Sequence, residues 1–319
     1  MTAMLPQALK RRIRALPQWS PVALRRPQDV VQVRMRGLKG EIDVTGAAVV
    51  ASLSPLTLGV GLDEAAGAVL GDCSAPVLRF LDLESRRTVG ALELIRVRDC
   101  PARAARIALF EVRGAAQYCL PWPYRPWNRY LQNRAIRRQH RRPDNFWMPP
   151  EAVQQLMIFY TCPRQVVLVS VDDGEHRNLF PMDLIGPVAP DRFTLALRNT
   201  SRSVPAMKRA RRVALSDVAA ADCGLAYSLG AHHREPLGDW RSLPCATARS
   251  QEFSLPFPQK ALRVRELEIL DFETIGSHTL FVTRIAAVQP LAEADQLHHT
   301  SGLYQHFRMR QGRPLPAAA

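Results

Sequence analysis

Two stretches in the second half of this 319-residue chain gather Asn, Ser, Gly and Arg in a way that ordinary loops do not. The first is RNLFPMDLIG (177–186). The second, LRNTSRSVPAMK (197–208), carries hydroxyls at Thr200, Ser201 and Ser203 and cations at Arg202 and Lys208. Hydroxyls, backbone N–H groups and a guanidinium converging at a helix start would hold a phosphate dianion. A basic, serine-rich surface turn has the same composition, so the residues alone leave both readings open.

Other reactive side chains point to less. The adjacent pairs His232, His233 and His298, His299 are expected as exposed loop residues rather than metal ligands, because neighbours on a strand face opposite ways. His278, in a strand-like run, reads by itself as a hydrogen-bonded structural residue, and Met182 as core filling. Glu252, Asp183 and Asp239 form no spaced pair for acid–base work. The six cysteines (73, 100, 119, 162, 223, 245) show neither CxxC nor zinc-ligand spacing, and read as reduced thiols of a cytoplasmic protein.

The elements that must position these groups follow from composition and periodicity. With 47% hydrophobic and 23% charged residues, the chain is neither disordered nor fibrous. Its length suffices for one large core or two modest ones. The net charge of +14 sits mostly in residues 1–150, which hold 24 basic and 12 acidic residues against 19 and 17 in the remainder. No apolar leader is visible at the start, so no signal peptide is expected. The longest uncharged stretch, Val44 to Leu62, has the length of a membrane span. Its Pro55, Gly46, Gly59, Gly61 and interleaved hydroxyls instead predict two strands meeting at Ser54 and Pro55, and no transmembrane segment.

Residues 5–16 predict a basic helix with Leu5, Leu9, Ile13 and Leu16 on one face, within a basic helical arm and linker over 1–29 whose residues 17–29 are a Pro-rich connector. Residues 30–117 read as a small β-rich domain without a visible internal repeat or active-site motif. In the Arg/aromatic connector 118–150, Trp127, Tyr130, Leu131 and Ala135 would share a helix face, and Pro143, Pro149 and Pro150 would end any helix. Three readings of this segment stand side by side: packing against the second domain, binding of nucleic acid or anionic lipid, or a wall of a pyridine-nucleotide pocket. From 151 a short helix leads into strands. Asp172, Asp173 and Gly174 supply a hairpin turn. A basic helical turn over 203–211 has Pro205 near its start. A bulge near Arg265 and Glu266 reconciles a phase change in ALRVRELEIL, whose hairpin partner is SHTLFVTRIAAV.

The order of motifs over residues 164–310 resembles the flavin reductase-like, FMN-binding split-barrel family. The opening strand is similar to RQVVLVSVDDG, with Asn178 and Pro181 in the following loop. A strand ending in Leu-Arg runs into the phosphate loop, here LRNTSRS. A late strand is GSHTLFV (276–282), and the end resembles HTSGLY (299–304). The resemblance implies a mainly β protein: a six-stranded Greek-key split barrel over 151–319, preceded by the small β-rich domain and the basic helical segment. It implies a homodimer with FMN between subunits, FMN or FAD being reduced by NADH or NADPH, and a flavin-dependent oxygenase or other electron acceptor as partner. A flavin-binding electron-transfer module, or a degenerate barrel whose basic first half binds an anionic partner, are the alternatives. By this resemblance Asn178, Pro181, Met182 and Asp183 border the isoalloxazine, and Asn199, Ser201, Arg202, Ser203 and Lys208 hold the phosphate end. His278 and Tyr304 lie where flavin or nicotinamide is met. Departures from the pattern are Asp183, where Ser or Thr is usual, Ser203 for Thr, Val204 and Pro205 after it, and Ser277 for an acid.

Overall fold

The computed structural model describes residues 15–100, 106–139, 148–235 and 237–318. The basic helix expected at 5–16 lies almost wholly outside them, as do Arg141, Arg142, Phe146 and Trp147.

The protein is mainly β, and among the described residues most strands fall into two seven-stranded antiparallel sheets. The first contains β2 (Val31–Arg36), β3 (Glu41–Asp43), β4 (Ala48–Leu53), β5 (Leu56–Gly61), β6 (Val77–Asp82), β7 (Arg87–Cys100) and β8 (Ile107–Gln117), in the order β3-β2-β6-β7-β8-β5-β4. The second contains β10 (Val167–Asp172), β11 (Arg177–Met182), β12 (Ile185–Ala189), β13 (Arg192–Arg198), β14 (Arg212–Asp217), β17 (Arg263–Ile275) and β18 (His278–Pro290), in the order β11-β10-β14-β17-β18-β13-β12. A third, three-stranded sheet joins β1 (Trp19–Leu24), β19 (Gln296–Ser301) and β9 (Arg164–Gln165), and β15 (Thr247–Arg249) pairs with β16 (Pro256–Pro258). The helices are α1 (Glu64–Leu70), α2 (Arg125–Gln139), α3 (Pro150–Phe159), α4 (Ser203–Ala210), α5 (Cys223–Ser228) and α6 (Gly302–Arg310).

The second sheet has seven strands rather than six, and its connectivity forces it to curl. Strands β11 and β12 stand at opposite ends of the order, yet only Asp183 and Leu184 separate them in sequence. Three Cα–Cα steps span at most about 11 Å, so the two edges must approach each other. The sheet wraps Val167, Val169, Phe180, Leu195, Leu215 and Phe281, with Val204, Ala206 and Met207 of α4 closing one end. The bulge expected near Glu266 is present, as register shifts between Glu266 and Leu267 and between Ile269 and Asp271. The turn after Asp172 places Gly174 at φ +91°, where a side chain would be strained.

The uncharged stretch 44–62 has a plain physical cause. Both β4 and β5 are buried along their whole length. Ala48, Val50 and Leu53 belong to the first core, while the alternate residues Val49 and Ala51 pack on Val188, Ala196, Leu280 and Val282 of the second sheet. A hairpin covered on both faces has no position for a charge.

Three expectations are corrected. The connector at 17–29 contains β1, which pairs with β19 from Trp19 opposite Ser301 to Leu24 opposite Gln296. The buried face of α2 is Gln132 and Ile136; Trp127 and Tyr130 stack on each other at 5.6 Å and face solvent. Finally, α3 and α6 do not pack only on the barrel next to them in sequence. Val153, Leu156 to Phe159, Leu303, Tyr304 and Phe307 complete the core of the first sheet.

Candidate functional site

The loop between β13 and α4 is fixed by its neighbours before any ligand is considered. Asn199 donates from its backbone N–H to the Ser277 carbonyl (3.0 Å) and from Nδ2 to the Gly276 carbonyl (2.9 Å), and accepts from Thr279 Oγ1 (3.0 Å). This fastens the loop to the β17–β18 turn. Asn178 Nδ2 donates to Ser203 Oγ (2.8 Å) and to the His232 carbonyl (2.7 Å), tying β11 to the start of α4. Between these anchors Arg198, Thr200, Ser201 and Arg202 border a cavity of about 800 Å³, within the range of small-molecule and cofactor sites.

Three further groups close the cavity. Pro181, Met182, Asp183 and Leu184 come from the link between the two sheet edges. His233 and Arg234 come from the segment after α5. Trp19, Leu53, Leu156 and Tyr160 come from β1, β4 and α3 and the residue following α3, and His278 and His299 complete the lining. The wall is thus built by both sheets. Burial and the neighbouring Arg234 push the pKa of Arg198 down. Two guanidinium groups close enough to repel make this part of the cavity receptive to a polyanion.

Asp183 is not a bare carboxylate in the cavity wall. Its Oδ2 accepts from His299 Nδ1 at 2.7 Å, and Tyr160 also donates to it. Burial raises the Asp183 carboxyl, but these bonds outweigh burial and hold it below the usual carboxylate range. The same contact works in reverse on the phenol: burial and Asp183 push the Tyr160 pKa up. With His299 Nδ1 donating, its Nε2 accepts from the Tyr227 hydroxyl at 2.9 Å, and the two rings stack at 5.9 Å. His278 is held neutral. Burial first, and then Arg198, push its pKa to about 4. The Leu53 N–H points at its Nδ1 (3.4 Å), which places the ring proton on Nε2.

Of the residues expected at the site, Pro181, Met182, Asp183, Ser201, Arg202 and His278 line one cavity. Asn178, Asn199 and Ser203 form the frame behind it. Lys208 stands farther along α4, its Nζ over the Phe272 ring at 4.7 Å. Tyr304 is the correction: it is fully buried in the first core, donates from its hydroxyl to Asp82 Oδ1 (2.6 Å), and does not line the cavity. Its position in HTSGLY puts it on α6, which turns toward the first sheet.

Sequence reasoning missed Arg234, Trp19, Leu53 and Tyr160, whose approach depends on long-range packing that no local pattern encodes. The histidine pairs are also corrected. His298 is buried, His299 and His233 line the cavity, and His233 packs on Phe180 at 5.1 Å. Among the described residues no three His, Cys, Asp or Glu gather as a metal site, and no helix is long and apolar enough to cross a membrane.

Residues 159–311 match the family model of the flavin reductase like domain, the same stretch over which the four motifs carry the resemblance. No curated protein matches the chain. Among solved structures, it is similar to an FMN-binding protein from Thermus thermophilus with bound p-hydroxybenzaldehyde, at 24% identity and a TM-score of 0.35, covering 40% of this chain and 72% of that one. It is also similar to the NADH:FAD oxidoreductase SgcE6 of Streptomyces globisporus C-1027, at 19% identity and a TM-score of 0.43, covering 50% and 95%. A third is BorF, the flavin reductase component of a bacterial two-component tryptophan halogenase, at 19% identity and a TM-score of 0.42, covering 46% and 92%. The family match is thus confined to residues 159–311.

Proposed function

We propose that this chain is an oxidoreductase that binds FMN in the cavity between β13, β11 and the first sheet, and passes hydride to it from NADH or NADPH. The observation that carries the reading is that Arg198, Arg202 and Arg234, with Thr200 and Ser201, line the same cavity as Trp19, Leu53, Tyr160 and Met182. Cations and hydroxyls suit a phosphate, and apolar and aromatic groups suit a planar ring. Bound flavin supplies the hydride-accepting centre, so the protein needs no nucleophile. Its side chains bind the phosphorylated tail, orient the ring and exclude water. Asn178, Asn199 and Ser203 hold the loop in place, and Asp183, pinned by His299 and Tyr160, presents a fixed negative charge in the wall. Neutral His278, with a proton on Nε2, is a hydrogen-bond donor at the cavity edge. FAD as a diffusing substrate and a flavin-dependent oxygenase as acceptor belong to the same reading. So does a reducing cytoplasm, which suits six cysteines without CxxC or zinc-ligand spacing.

The test is the visible spectrum of the purified protein, followed by FMN titration and rapid mixing with NADH and NADPH. A yellow protein bleached by either nucleotide is the expected result. A colourless protein that binds no added FMN overturns the reading, and a flavin reduced only by dithionite makes the chain an electron carrier.

A second reading concerns the outside of α2. Trp122 (77% exposed), Tyr124, Trp127 and Tyr130 stand in solvent among Arg129, Arg134, Arg137 and Arg138, and no acidic residue falls between Glu111 and Asp144. Guanidinium and exposed aromatic groups together suit a polyanion. A gel shift with single-stranded nucleic acid that fades with salt is expected; no shift at low salt overturns it.

A further inference from the structure

The two seven-stranded sheets have the same topology. Ranked from one to seven along the chain, both read 2-1-5-6-7-4-3 across the sheet. All six neighbouring pairs in each are antiparallel. A helix follows the fourth strand in both, α1 after β5 and α4 after β13. The main difference is the insertion between β14 and β17, where the first copy has only a turn between β6 and β7.

The contact between the copies obeys the rule of a two-fold interface, in which each surface meets its own counterpart. Val49 of the third strand in the first copy lies against the third strand of the second, where a Cβ on Gly186 would come within 2.6 Å of Val49 Cγ1. A Cβ on Gly61 would lie 1.8 Å from the Val188 carbonyl oxygen. The shared apolar cluster takes Val49 and Ala51 from β4, Cys100 from the end of β7 and Ile107 and Leu109 from β8. Matching them are Val188 from β12, Ile275 from the end of β17 and Leu280 and Val282 from β18. Arg98, two residues before the end of β7, donates to Glu273, two residues before the end of β17 (3.0 Å).

The copies differ where the ligand would sit. After its fourth strand the second copy has Arg198, Thr200, Ser201 and Arg202 at the cavity. The first has Leu62, Asp63 and Glu64, and the Asp63 carboxylate already accepts the Ala66 N–H (2.7 Å) at the start of α1. Two acids there repel a phosphate. The first copy does contribute Leu53, from the end of β4, to the second copy's cavity.

We propose that the chain is a duplicated split barrel that acts as its own dimer: the N-terminal copy has lost its anion site and takes the place of a second subunit, completing a single flavin site per chain. The flavin part rests on the function proposed above; the duplication and the two-fold contact do not. Light scattering with and without FMN is expected to give the mass of one chain, and titration one FMN per chain. A mass of two chains, or two FMN per chain, overturns the proposal. Mixing Arg202→Ala protein with Leu53→Trp protein, each weakened in FMN binding, should restore nothing, since both residues serve the same site in cis. Recovery of tight binding on mixing would place Leu53 in a partner's site and overturn it equally. Absence of FMN binding in wild-type protein refutes the flavin reading instead, and the mass then decides the duplication alone.

Discussion

Acid should loosen this fold before its carboxylates titrate, and the size of the effect follows from two histidines. His278 and His298 are both 1% exposed, and burial pushes both to about pH 4 from an ordinary value of 6.5. A histidine with a depressed folded-state pKa resists protonation in the native state, while the unfolded chain binds the proton readily. Stability is therefore complete above about pH 6.5 and falls as pH is lowered toward 4. At pH 5 each histidine has moved about 1.5 pH units below its unfolded value, a loss of about 2 kcal/mol, or about 4 kcal/mol for the two. With a urea m-value of about 3 kcal/mol per M or more for a chain of this size, the midpoint should drop by roughly 1 M between pH 7.5 and pH 5. Carboxylates held low, such as Asp82 and Asp183, remain ionised in both states for most of this window. His233 and His306 are also pushed down and add in the same direction. Urea unfolding followed by tryptophan fluorescence at half-unit pH steps measures the slope. His298→Asn should remove about 2 kcal/mol of the pH-dependent loss. A midpoint unchanged from pH 7.5 to 5, or a variant with the wild-type slope, would refute the argument that these rings are buried and neutral.

Other outcomes are equally definite. Tyr304→Phe removes a hydrogen bond to the buried Asp82, which also accepts from Arg308 (3.0 Å). It should cost about 1–3 kcal/mol of stability and leave FMN affinity unchanged in titration; a loss of affinity at full stability would return Tyr304 to the site. Arg202→Ala should weaken FMN binding on the order of 10- to 100-fold through one lost charge-assisted bond while leaving riboflavin affinity alone, as measured by flavin fluorescence. Gly61→Val forces a side chain toward the Val188 backbone and should lower the melting temperature by several degrees in calorimetry. In native protein a thiol reagent should modify Cys223 and Cys245 first, since Cys73, Cys100, Cys119 and Cys162 are buried, and burial pushes Cys119 up to about 12.

Local chemistry made the hairpins and the loop around Arg202 readable. Asp173 and Gly174 mark one reversal, and Arg202 with its hydroxyl neighbours marks the loop. The reversal is encoded within a few residues, where turn propensity acts. What local chemistry cannot encode is which distant face covers an apolar run. The uncharged stretch 44–62 announced burial but not that the second sheet covers one of its faces. The aromatic side chains of α2 look like a core stripe by period, yet Gln132 and Ile136 face inward because of where the helix docks. Tyr304 sits in a motif shared with the site, but α6 carries it to the other core. The repeated topology left no trace in local motifs, since the same strand order is compatible with many sequences.

The placement of α6 also sets an order on how the chain becomes a protein. Leu303, Tyr304 and Phe307 seal the core of the first sheet, although nearly all of that sheet leaves the ribosome before residue 160. At roughly 5–20 residues per second, its apolar interior waits on the order of ten seconds for its final helix. The nascent first half is thus an open vessel that depends on a segment synthesised much later, and a chain truncated before residue 302 would present that opening to chaperones and proteases.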